Sequence, residues 1–178
     1  MDNSNINKTK QNILTGMFAD RESTEKAYNA LQERGYTNDE ISMIMSDETR
    51  KAHFADDGET EIGTKAAEGA GKGSAIGGTI GAIAGVIAAI GTSIVIPGLG
   101  IVIAGPIAAG LAGAGAGGIT GGIIGALVGS GIPEARAKLY ESGLKNGQIV
   151  LGVHPKNDDD KRYIEDNWKD NRGQEINN

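Results

Sequence analysis

Two glycine-rich stretches have the residue types of phosphate-binding loops. Residues 113–118, Gly-Ala-Gly-Ala-Gly-Gly, fit the pattern G-x-G-x-x-G, in which glycines let the backbone approach a pyrophosphate. That site needs a strand before it and an acidic residue about twenty positions later, and Glu134 lies near that distance. Residues 66–74 resemble a P-loop, but Ala66 replaces its first glycine and Gly73 stands where Ser or Thr must follow Lys72. Packing between helices explains the same glycines, so we predict no nucleotide cofactor.

The sequence gives equally little indication of a metal site or of a nucleophilic active site. The only histidines, His53 and His154, each stand near acidic residues, a combination that can bind a metal ion. The acidic run at 158–160 is explained more simply as negative charge favoured at a helix N-terminus. No cysteine is present, which excludes disulfides and thiolate chemistry, and no nucleophile is paired with a base and an orienting group. Trp168 and Ile164 have the spacing of a core, and Tyr140 and Tyr163 are interpreted in the same way. We predict no metal site, no cofactor and no enzymatic activity.

The strongest pattern is a fourfold repeat of glycine inside a stretch without charge. No charged residue lies between Lys72 and Glu134. Residues four apart lie on one helix face, and small residues there let a second backbone approach closely, as in membrane helices. Each interior glycine costs an exposed helix about 1 kcal/mol relative to alanine, so close packing or lipid must compensate. The two rows are Gly69, Gly73, Gly77, Gly81 and Gly85, then Gly105, Gly113, Gly117, Gly121, Gly125 and Gly129, with Ala109 completing the second.

These rows predict a glycine-zipper helical hairpin over residues 73–132. Its first helix, residues 74–91, would be about 27 Å long, enough for the core of a bilayer. The second would run from about Pro106 to Gly129, and Pro97 and Gly98 would form the turn between them. Beside its glycines the first helix carries an apolar stripe of Ile76, Ile80, Ile83, Ile87 and Ile90.

Two environments can bury this hairpin. One is a membrane: lysine and arginine flank both ends of the stretch, so the positive-inside rule places both termini in the cytoplasm. The other is a soluble oligomer in which hairpins from several subunits bury one another. The absence of Phe, Tyr and Trp from 55 to 139 argues against the membrane, because interfacial aromatics usually mark the ends of a span.

Charged residues are concentrated outside the apolar stretch and set further limits. They make up 22% of the chain, and the net charge is −6 with no basic run, which excludes nucleic acid as a partner. Residues 1–11 are polar and asparagine-rich with no apolar core behind them, so they predict a disordered leader and no secretory signal. The expected compartment is the cytoplasm or the cytoplasmic face of the membrane.

The flanks predict one small α+β domain interrupted by the hairpin. Residues 12–46 read as strand, helix and strand, with Asp20 capping the helix and Gly35 ending it, and a polar linker follows at 47–72. Residues 133–178 read as helix, strand and helix, and Gln174 to Asn177 can add a last strand. We expect a split α/β sandwich, since each half alone is too small to bury a core. Both ends of the hairpin must then lie close together.

Short motifs in both halves resemble the heat-induced general stress protein family of the YflT kind. The first half is similar at Ile13 to Phe18, Asp20-Arg21-Glu22, Arg34-Gly35-Tyr36 and Ile41-Ser42. The apolar middle is similar at Pro97-Gly98-Leu99-Gly100 and Ala104-Gly105-Pro106. The second half is similar at Gly131-Ile132-Pro133-Glu134, Tyr140-Glu141-Ser142-Gly143, Gly147-Gln148-Ile149-Val150 and the helix from Tyr163 to Trp168. The resemblance covers most of residues 12–175 and implies a bacterial stress-response role without an assigned activity. It therefore assigns no functional residues.

Together these patterns predict a non-enzymatic, stress-associated protein that associates with or inserts into the membrane through the glycine-zipper hairpin. Membrane lipid is its expected partner, and the zipper glycines are expected to form homo-oligomers. The alternatives are a soluble self-assembling protein whose hairpins form a shared core, and a small-ligand sensor built on the α+β domain. The identity of any small-molecule ligand stays open at this stage.

Overall fold

A computed structural model describes residues 13–54, 94–96, 100–108 and 122–177, with the backbone alone at 94–96. Within these ranges the chain is mixed α+β, as predicted. The strands are β1 (Leu14–Phe18), β2 (Ile41–Ser46), β3 (Ile94–Ile96), β4 (Ile101–Ala104), β5 (Ile149–Val153) and β6 (Gln174–Asn177). The helices are α1 (Arg21–Glu33), α2 (Asp47–Phe54), α3 (Gly122–Gly129), α4 (Glu134–Lys145) and α5 (Asp158–Asp170), with a 3-10 turn at Asn38–Glu40 and helical residues at 106–108.

All six strands form one antiparallel sheet in the order β3-β4-β2-β5-β1-β6. Strand β5 comes from the second half of the chain but lies between β1 and β2 of the first half. Since β5 is antiparallel to both neighbours, β1 and β2 are parallel, and the unit β1-α1-β2 is a split β-α-β motif. Each half therefore supplies a strand that the other half needs.

Helices cover both faces of the sheet. On one face α1, α2 and α5 pack around a core that includes Phe18, Leu151 and Trp168. On the other face α3, α4 and residues 106–108 pack around Ile44, Val150 and Tyr140. Strands β1, β2, β4 and β5 are buried along their whole length. Two covered faces explain why every residue of these strands is buried, including the polar Thr15, Ser42 and Ser46.

Local signals set most of the helix ends. The side chain of Asp20 accepts a hydrogen bond from the Ser23 amide and caps α1, as predicted. Gly35 follows α1 at φ 88°, while the amides of Gly35 and Tyr36 bond back to Gln32 and Leu31. This pair of bonds is the Schellman motif, which satisfies carbonyls left open at a helix C-terminus. At α5 the cap is Asn157, which accepts from the Asp160 amide, and the acidic run at 158–160 lies in the first turn, as predicted.

Three predicted boundaries were wrong. The polar linker 47–72 begins with helix α2, because the Ser46 hydroxyl accepts from the Thr49 amide and starts a helix. The connection between the proposed zipper helices contains β3 and β4, and β4 is buried beside β2. A single second helix from 106 to 129 is interrupted, since Gly122 has φ 68°.

Candidate functional site

Three of the eleven predicted zipper glycines, Gly105, Gly125 and Gly129, lie within the described residues. The apolar stripe at 76–90, the turn residues 97 and 98 and the glycine motif at 113–118 lie outside them. The other eight glycines, also outside, are Gly69, Gly73, Gly77, Gly81, Gly85, Gly113, Gly117 and Gly121.

Gly105 is part of a bend and does not belong to a zipper face. Its φ is 81°, and a Cβ built on it would collide with the carbonyl oxygen of Ile41. Glycine is needed here because β4 ends against the first residue of β2, in a conformation that other residues adopt only with strain. The prediction that Gly105 opens the second zipper row was therefore wrong, although the residue itself is under strong constraint.

Helix α3 contains the other two glycines and packs on the sheet. Ile123, Ala126 and Leu127 are buried in the core. Gly125 is half-buried, while Val128 and Gly129 lie on the exposed side, with Val128 42% exposed. The helix carries no charged residue, so its outer side is a neutral surface. Residues 122–129 of the neutral stretch therefore belong to the α+β domain and contribute to its core.

Both ends of the segment 55–93 are attached to the same domain. At the start, Phe54 is buried, the Arg21 guanidinium lies 5.0 Å from its ring centre, and Arg21 Nη1 donates to the His53 carbonyl. At the other end, Ile94 begins β3 and pairs with Ile103 of β4. The two domain halves meet in the sheet, whose central strands come from both. The predicted proximity of the two hairpin ends is not tested, because residue 73 lies outside the described residues.

A cavity of about 380 Å³ opens at the end of the sheet where β2 ends and β4 begins. Its polar lining includes Ser46 and Thr49, whose hydroxyls bond to each other at 2.8 Å. Lys145, also in the lining, pairs with Glu141 at 3.1 Å. These polar groups already have partners, so the cavity offers no converging set of free donors for a ligand.

The best-defined charged cluster joins the two halves of the domain. Arg34 Nε donates to Asp160 Oδ1 at 2.7 Å, and the Tyr36 hydroxyl donates to Asp160 Oδ2 at 3.1 Å. The Lys156 amide donates to the Tyr36 hydroxyl at 3.0 Å, and the Lys156 ammonium lies 4.4 Å from the centre of that ring. The Arg34 hydrogen bond holds the pKa of Asp160 below its usual value, while burial raises the pKa of Tyr36. Sequence reasoning missed this cluster because Arg34 and Asp160 are 126 positions apart.

A second polar cluster lies under the opposite face of the sheet. The Tyr140 hydroxyl donates to Thr15 Oγ1 at 2.7 Å, and Arg136 Nη1 reaches the same oxygen at 3.3 Å. Burial raises the pKa of Tyr140 to about 12, so the phenol is a hydrogen-bond donor at neutral pH and not a base. Its position agrees with the predicted core role of Tyr140.

Among the described residues, no group of His, Asp and Glu has the arrangement of a metal site. The described helices are also too short or too polar for any of them to cross a bilayer. The side-chain contacts described above pack the core, cap helices and join the two halves of the α+β domain.

Comparison with protein-family models, with curated proteins and with solved structures gives no match for this chain.

Proposed function

We propose that this chain is a non-enzymatic, stress-associated protein that attaches to a membrane surface and to copies of itself through the neutral glycine-rich segment at residues 73–93. The stress role rests on the family resemblance. The attachment rests on one observation: Phe54 and Ile94, which bracket residues 55–93, belong to a single domain.

Because both ends of the segment are attached to one domain, association with one side of a bilayer is favoured and a single crossing of the bilayer is disfavoured. One crossing by 73–93 would carry Ile94 to the far side, away from Phe54. To bring the chain back, residues 55–72 would have to cross as well, and these include Asp57, Glu61 and Lys65. A charged side chain at the centre of a bilayer costs at least about 2.5 kcal/mol. Association at the surface, with the α+β domain on the cytoplasmic side, avoids that cost.

Self-assembly without lipid is the second candidate, and a specific observation favours it. Where the neutral stretch is described, its apolar residues pack on protein: Ile103 lies in the sheet and Ile123 and Leu127 lie in α3. Glycine rows in 73–93 could pack on a second chain by the same close approach of backbones. Both candidate functions use residues 73–93, and they differ in whether association of the copies needs lipid.

Flotation of the full chain with phospholipid vesicles tests the proposal. We expect the wild-type chain to float with vesicles and Ile83→Lys, which puts a charge in the neutral segment, to float several-fold less. Thr64→Lys adds the same charge in the polar linker and is expected to float like the wild type. If the wild-type chain stays at the bottom of the gradient as a discrete oligomer, membrane attachment is refuted and self-assembly is favoured.

A further inference from the structure

The turn between α4 and β5 contains the only asparagine of the chain that is followed by glycine, Asn146-Gly147. Asn146 is the C-cap of α4, with φ −92° and ψ 12°, and it is exposed. Gly147 follows at φ 83° and is half-buried. Asparagine is one of the thermolabile residues. A following glycine carries no side chain to shield the amide nitrogen that attacks the asparagine.

The fold requires this glycine. The Gly147 amide donates to the Leu144 carbonyl at 3.2 Å, and the Gln148 amide donates to the Gly143 carbonyl at 3.0 Å. These two bonds form the Schellman motif, in which the residue after the C-cap has positive φ and is usually glycine. A Cβ at position 147 would lie 3.7 Å from the Thr49 hydroxyl, so the constraint comes from the backbone conformation and not from space. The helix end therefore keeps a glycine directly after an exposed asparagine.

We propose that Asn146 is a site of spontaneous deamidation in the folded protein. The Gly147 amide nitrogen loses its proton to solvent base and attacks Cγ of Asn146. A bond from this nitrogen to Cγ forms, the bond from Cγ to Nδ2 breaks, and ammonia leaves, so that a succinimide ring joins the two residues. Water then opens the ring at either of its carbonyls and leaves aspartate or isoaspartate.

The attack requires the end of α4 to open, but not the whole domain. The Gly147 nitrogen must give up its bond to the Leu144 carbonyl, and Asn146 must rotate about its Cα–C bond. Lys145 and Asn146 are exposed, and helix ends open at a much lower cost in free energy than a core does. Leu144 and Ile149, on either side of the turn, are buried and hold the rest of the domain in place.

Both products change the connection between α4 and β5. Aspartate adds a negative charge at the C-terminus of α4, where the helix dipole favours positive charge. Isoaspartate also carries the main chain through its own Cγ, which adds a methylene group to the backbone. Strand β5 begins at Ile149 opposite Phe18 and pairs with both β1 and β2. The longer connection therefore reaches a central strand of the sheet, and we expect isoaspartate to destabilise the domain more than aspartate.

Peptide mass mapping of the full chain tests the site. We expect incubation at mildly alkaline pH, well below the melting temperature, to convert Asn146 to both products while Asn171 stays unmodified. Asn171 is the matched control because it is also a helix C-cap, but Arg172 follows it and its side-chain amide donates to the Asn167 carbonyl at 2.8 Å. Asn146→Gln should abolish the reaction at this position, since the longer side chain closes its ring more slowly.

The chain unfolded in urea is the reference for the rate, and we expect the folded chain to react several-fold more slowly because the turn must open. If Asn146 stays intact in the folded protein until the unfolded chain is fully converted, the turn protects the residue and the inference fails. Faster conversion of Asn171 than of Asn146 in the folded protein also overturns it.

The melting temperatures of the products test the effect on β5. Ion exchange separates the products from the unmodified chain by their added charge. We expect the isoaspartate product to melt at a lower temperature than Asn146→Asp, which carries the charge without the longer backbone. Equal melting temperatures of these two chains would overturn the effect on the central strand.

Discussion

At the scale of single residues, Asp160 is the side chain with the clearest energetic role. It is nearly buried and accepts from Arg34 and Tyr36, so its carboxylate is held by groups from the first half of the chain. The Arg34 hydrogen bond is the main reason that its pKa lies below the ordinary 3.8. A carboxylate with a lowered pKa in the folded state stabilises that state above its unfolded pKa, and the contribution is lost as pH falls through the folded pKa.

We therefore expect Asp160→Asn to lower the melting temperature at pH 7 and to lower it much less at pH 3. Thermal denaturation of both chains at the two pH values measures the difference. Asp159→Asn is the matched control, because Asp159 lies in the same helix turn, is exposed, and makes only a 3.5 Å ion pair with Arg162. Its effect should stay within about 0.5 kcal/mol. An equal loss for Asp160→Asn at both pH values would show that packing, and not charge, holds this site.

At the scale of elements, four helices end in the same way. After α1, α3 and α4 the residue at positive φ is glycine: Gly35, Gly131 and Gly147. After α5 it is Arg172, at φ 62°, with the Gly173 amide bonded to the Trp168 carbonyl at 2.7 Å. This position of the Schellman motif favours glycine, because other residues are strained there by about 1 kcal/mol.

Arg172→Gly should therefore stabilise the domain, by up to about 1 kcal/mol. The ion pair it removes, from Arg172 to Asp20 at 3.7 Å, is exposed and contributes little. Urea denaturation measures the change in unfolding free energy. Gly35→Ala tests the same position in α1, where a Cβ would meet nothing within 4 Å, so only backbone strain changes. We expect it to destabilise by a similar amount, and equal stability of the wild-type and Arg172→Gly chains would contradict the argument.

At the scale of the whole molecule, the proposed association of copies through residues 73–93 predicts how glycine substitutions act. Gly81 lies in the middle of the first glycine row, and Gly78 lies about 100° around a helix from Gly77, the preceding glycine of that row. If the row is an interface with lipid present, Gly81→Leu should weaken cross-linking of the vesicle-bound chain markedly, and Gly78→Leu should weaken it less. Leucine raises helix propensity in both variants, so a loss cannot come from a weaker helix. Unchanged cross-linking in Gly81→Leu would mean that the glycines serve another purpose, such as curvature.

Features that depend on near neighbours in the chain were predictable. Asp20 and Gly35 bound α1 through contacts within five positions, and Pro133 precedes α4 because its missing N–H is tolerated there. The α+β class followed from the order of the apolar runs, and the last strand was placed at Gln174–Asn177.

Features that depend on distant partners required the folded structure. Residues 94–104 are apolar enough for a buried turn, a helix or a strand, and pairing of β4 with β2 selected the strand. The fourfold glycine spacing included Gly105, whose constraint comes from the Ile41 carbonyl and not from a helix partner. Residues 47–54 looked like linker, and the burial of Phe54 in the core with residues from distant strands holds them in a helix. In each case several local conformations have similar free energies, so contacts made across the sheet determine which one forms.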